Sequence, residues 1–139
     1  MFRYFGVVFL AAFPSIALAC SCLHAPLERH VSDARDIYVG VLVSSRVVES
    51  ESGEDWPHIE GTLRVETVIK GSPNQVEIVR TGFGGGDCGI PMTVGRAYVI
   101  FIDNDRRSIG NCGASEQLRR YEEKRYIERL KGIVYDQTL

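Results

Sequence analysis

Four cysteines and one newly made chain end carry the chemistry this sequence offers. Cys20-Ser21-Cys22 directly follows Ala17-Leu18-Ala19, and an A-x-A run of that kind is where a signal peptidase cuts. A cut between Ala19 and Cys20 makes Cys20 the first residue of the mature chain. With its side chain tied down, its α-amine and carbonyl are held rigidly at the tip of the molecule. A lipoprotein pathway would instead acylate the same cysteine. Such sites carry Leu three residues before the cysteine and a small residue two before, whereas Ala17 and Leu18 stand here in the reverse order. Because the A-x-A pattern is met in full, the reading favours a free amine.

All four cysteines, Cys20, Cys22, Cys88 and Cys112, lie after that cut. An even count in an exported small domain reads as two disulfides. A Cys20–Cys22 bond would close a very small ring and constrain little. Bonds to the distant cysteines close long loops, each contributing roughly 3–4 kcal/mol in the chain-entropy model. Cys20–Cys88 with Cys22–Cys112 and the crossed arrangement both satisfy that argument. A thiol redox site would place two residues between paired cysteines, not one. His24, His30 and His58 fall at no zinc-ligand spacing. The loop Thr81-Gly82-Phe83-Gly84-Gly85-Gly86-Asp87 lacks the Lys and Ser/Thr of a phosphate cradle and reads as a flexible connector. The acidic run Glu49 to Asp55 fits no calcium loop, and Trp56 reads as core or rim packing. No nucleophile–base set stands out, so the expectation is a non-enzyme without a cofactor or a metal of its own.

The elements that position these residues follow from local patterning. Residues 1–19 read as a signal peptide: Arg3 opens it, Tyr4 to Phe13 is apolar but too short to span a bilayer, and Pro14 precedes the cut. Residues 20–139 form one domain. Without Arg3, fifteen basic side chains face eighteen acidic ones, and this balance argues against a nucleic-acid partner. A brief helix is expected from Pro26 toward Val31. Strands follow at Ile37–Val43, continuing to Val48, at Thr62–Ile69, at Gln75–Arg80 and at Ala97–Ile102, with Ser108-Ile109 as a short fifth. Gly40 inside the first suggests a bulge or sharp bend. A helix is expected from Ser115 to Lys131, with Tyr126, Leu130, Ile133 and Val134 on one side. Several short strands before a terminal helix suggest a mainly β domain, a small closed barrel.

Taken in order, these motifs resemble the inhibitory domain of the tissue inhibitors of metalloproteinases and, more broadly, netrin-type modules. Cys20-Ser21-Cys22 matches the family's mature Cys-x-Cys start. Ala34-Arg35-Asp36-Ile37 resembles its first strand entry, and Val68-Ile69-Lys70-Gly71 its Lys-Gly turn. Cys88-Gly89, the Gly95-Arg96-Ala97-Tyr98 strand entry and Cys112 before the helix complete the series. The animal inhibitors carry more disulfides and a second domain, and their loop before Cys-Gly is less rich in glycine.

The resemblance implies a five-stranded Greek-key barrel of the OB type with a short N-terminal and a C-terminal helix, and the pairs Cys20–Cys88 and Cys22–Cys112. It also implies a partner, a zinc metalloprotease, met by a wedge of Cys20, Ser21, Cys22, Cys88 and Gly89. The Cys20 amine and carbonyl would chelate the protease's zinc and displace its water, while Ser21 enters the specificity pocket. The expected protein is a monomer in the periplasm or outside the cell. The alternative function is a non-inhibitory protein-binding module of the netrin type, with a membrane entering the picture only where Cys20 is acylated and anchors it.

Overall fold

The computed structural model describes residues 20–49, 56–103 and 107–139. The expected signal peptide at 1–19, most of the acidic run and the middle of the 103–107 turn lie outside the described residues. In chain order the elements are helix α1 (Leu27–Asp33), strands β1 (Asp36–Val48), β2 (His58–Lys70) and β3 (Val76–Thr81), a single 3-10 turn (Gly85–Asp87), strands β4 (Ala97–Ile102) and β5 (Glu116–Gln117), and helix α2 (Glu123–Gln137). The protein is mainly β. Its five strands form an antiparallel sheet in the order β3-β2-β1-β4-β5.

The apolar runs of β1 and β4 are continuous rather than alternating because each strand is covered on both faces. On one face Tyr38 and Leu42 join Leu63, Val79, Tyr98, Ile100 and Ile102 in a cluster under the curled sheet. On the other, Ile37 and Val39 meet Val99, Phe101, Val31 of α1 and Leu130 of α2. Gly40 sits where the β1–β2 register shifts, between Val39 and Gly40. A Cβ there would come within 2.9 Å of the Arg64 carbonyl oxygen, so the close crossing at the bend needs glycine.

Two expectations are corrected. Residues 115–122 are not the start of the terminal helix. Residues 115–118 bond to β4: Leu118 N–H donates to the Ala97 carbonyl at 2.8 Å, and the Ser115 hydroxyl accepts from Phe101 N–H at 2.9 Å. Residues 119–122 then turn into the helix, Glu122 N–H donating to the Arg119 carbonyl. The helix begins at Glu123 and runs past Lys131 to Gln137. Nor does the strand ladder close into a barrel. Among the described residues, the stretch between β4 and α2 is broken by a turn from Gly110 to Gly113, and Cys112 is tied away to Cys22. One part of that stretch, at Ser108, makes an isolated parallel bridge to Arg80 of β3. The other part, β5, pairs with β4. Ser108-Ile109 is therefore a bridge and not a ladder strand.

One buried charge sits in this frame. Glu77 is 2% exposed, accepts from Asn74 N–H at 2.6 Å and from Asn74 Nδ2 at 2.9 Å, and forms an ion pair with Arg107. With both oxygens occupied and a cation in contact, its burial does not leave an unpaired charge.

Candidate functional site

The site is built where the chain's first described residues meet the connection from β3 to β4. Cys20 is bonded to Cys88, with Cα atoms 5.6 Å apart, and Cys22 to Cys112, with Cα atoms 5.0 Å apart. The crossed arrangement, which cysteine count and loop length left open, is not the one formed. Cys20-Ser21-Cys22 has no helix or strand of its own. It is an irregular segment pinned at both ends, and Ser21 between the pins is exposed. Leu23 just beyond is 96% exposed.

The opposing strip is the loop from Gly82 to Gly89. Thr81, buried at the end of β3, anchors both its ends: its hydroxyl accepts from Ile90 N–H at 2.9 Å. Gly89 lies against the backbone of Gly82, and a Cβ on it would collide with the Gly82 carbonyl. Any side chain at the Gly of Cys88-Gly89 would therefore push the two arms of the loop apart. Cys88 itself is left-handed, with φ 61°, a conformation that costs a non-glycine residue about 1–2 kcal/mol. Its carbonyl accepts from Asn111 N–H at 2.8 Å.

The glycine-rich stretch is not a slack connector. The Asp87 carboxylate accepts three backbone hydrogen bonds, from Phe83 N–H at 2.6 Å, Gly84 N–H at 2.8 Å and Gly89 N–H at 3.1 Å. Those donors, Phe83 first, hold its pKa below the usual aspartate value. Sequence reasoning missed this residue; the available signal was an Asp closing a glycine run, a composition favoured in side-chain-to-backbone turns. Cys20 Sγ, which bears no proton in the disulfide, lies 3.5 Å from the Gly86 carbonyl oxygen.

The loop stands as a wall between two clefts. One, of about 510 Å³, is lined by His30, Asp33, Cys88 and Cys112; the other, of about 640 Å³, by Trp56, His58, Arg80 and Phe83; Gly82 and Asp87 line both. Trp56 is 88% exposed and belongs to neither core cluster, so of core and rim packing the core reading is set aside. Near the second cleft, Glu60 is held below the usual carboxylate range, chiefly by its hydrogen bond from Arg46 and also by Arg80. Among the described residues no three His, Cys, Asp or Glu side chains converge at metal-ligand spacing, and no helix is long and apolar enough to cross a membrane.

The structure thus brings together the five residues the resemblance named for a wedge: Cys20, Ser21 and Cys22 on one strip, Cys88 and Gly89 on the other. The arrangement presents a narrow, doubly pinned edge with a small side chain between its pins. No protein-family model matches the chain, and no curated protein matches it.

Proposed function

We propose that the protein is an exported inhibitor of zinc metalloendopeptidases, released by cleavage after Ala19 and acting through the amine and carbonyl of Cys20. The observation that carries this reading is the doubly pinned Cys20-Ser21-Cys22 segment beside Cys88-Gly89. A free amine nitrogen and the carbonyl oxygen of one residue form a chelate. Placed on a protease's zinc, they take the position of the water that the metal would otherwise activate. The amine has an ordinary pKa of about 7.7–8.0, so its lone pair is accessible near neutral pH. Pinning removes ordering entropy that binding would otherwise have to overcome. Exposed Ser21 is small enough to enter a pocket beside the metal.

On the same reading the curled sheet is a Greek-key barrel of the OB type, a member of the inhibitor and netrin-module family. The Arg80–Ser108 bridge and the β4–β5 pairing support it, as two halves of one interrupted closing strand. Intact mass and N-terminal analysis of the exported protein, joined to an inhibition assay against zinc endopeptidases, test the function. A chain beginning at an unmodified Cys20 that inhibits supports it. An acylated Cys20 overturns it and points to the lipid-anchored binding module.

A further inference from the structure

We propose that Asp87 is the positioning residue of the wedge: its carboxylate gathers residues 83–89 and so sets where Cys88 and, through the disulfide, Cys20 stand. The functional consequence rests on the inhibitory reading above; the positioning itself does not.

Thr81 and the Gly82–Gly89 contact close the loop at its base, and Asn111 and the disulfide hold Cys88; between them, residues 83–87 have few side chains to shape them. Gly84, Gly85 and Gly86 bring no side chains, and a Cβ at Gly85 or Gly86 would meet nothing within 4 Å. Phe83 is half exposed. Gly84 and Gly85 take left-handed φ values of 95° and 75°, conformations that cost glycine little but that nothing in glycine favours over others. Against that freedom stand the two carboxylate oxygens. Oδ2 takes Phe83 N–H, and Oδ1 takes both Gly84 N–H and Gly89 N–H. The last of these spans Cys88, so the carboxylate holds the residue on either side of the left-handed cysteine. Charge-assisted bonds of this kind are roughly twice as strong as neutral ones. An exposed aspartate therefore does for this loop what packed side chains do elsewhere. Cys20, covalently joined to Cys88, inherits its position.

The experiment compares wild type, Asp87→Ala and Asp87→Asn as exported, disulfide-intact chains. Amide exchange and the Ser21 amide resonance are read by NMR, and inhibition is measured in parallel. In Asp87→Ala, exchange at Phe83, Gly84 and Gly89 rises about tenfold or more while Val99 in β4 keeps its protection. The Ser21 resonance shifts or broadens, and inhibition weakens by about tenfold or more as the wedge must be ordered on binding. Asp87→Asn keeps one acceptor oxygen and falls between the two; if the alanine variant does not fold, this variant decides. Unchanged exchange at the three amides overturns the proposal, as does altered exchange with Ser21 and inhibition unmoved. Should wild type inhibit no zinc endopeptidase, the inhibitory reading fails by itself, and the Ser21 resonance alone decides the role of Asp87.

Discussion

Asp87 and Gly89 shape one turn by opposite means, the first by supplying oxygens and the second by lacking a side chain. Gly89 is buried against Gly82, so Gly89→Ala drives a methyl group into the Gly82 backbone. We expect it to lower stability by about 1–3 kcal/mol, the usual cost of overpacking, seen as a lower urea midpoint with the same slope. Cys-x-Cys was legible as chemistry from its place at the cut and the even cysteine count, whereas Cys-Gly was picked out only by the resemblance. Asp87 was not legible, because its role depends on the loop turning back on itself. An aspartate in a glycine-rich stretch is equally suited to solvent. Cys88 in the left-handed region was also hidden, since cysteine has no preference for it that a sequence could reveal.

At the level of elements, the strands that carry the core were readable because their apolar runs are continuous and β-branched, as in Ile37-Tyr38-Val39 and Val99-Ile100-Phe101-Ile102. The bend at Gly40 was readable for the same kind of local reason. The helix boundary was not. Residues 115–118 have no strong strand pattern, and what removes them from the helix is a hydrogen-bonding partner distant in sequence, β4; a turn at 119–122 follows before the helix starts. The helix proper is fixed by packing: Leu130 is fully buried against β1 and β4, with Tyr126, Ile127, Ile133 and Val134 around it. Leu130→Ala is expected to cost about 2–5 kcal/mol by opening a cavity there, measurable by thermal or urea unfolding. Neither disulfide involves a residue of α2, so the folded fraction of that variant should keep both.

Across the whole molecule, two disulfides with sequence separations of 68 and 90 join the first described residues to the β3–β4 connection and to the segment before β5. Mutating both Cys22 and Cys112 to Ala removes the longer crosslink and is expected to cost about 2–5 kcal/mol, read from denaturant unfolding under non-reducing conditions. That the cysteines are paired was legible from their even number; which partners they choose depends on tertiary placement, and the resemblance rather than loop length pointed to the pairing observed. Among the described residues the ladder does not close, and counting strands cannot foresee that a turn at Gly110–Gly113 and the tied Cys112 would interrupt the last strand. What remains is a sheet that delivers one pinned edge to the surface, and the central claim is that this edge works by its terminal amine. The direct measurement is the inhibition constant of the mature chain beginning at Cys20 against a zinc endopeptidase, compared with the same chain extended by one alanine. The account predicts that the extension, which turns the amine into an amide, weakens inhibition by about a hundredfold or more, the loss expected when a central anchor is removed. Equal inhibition by the two chains would contradict it.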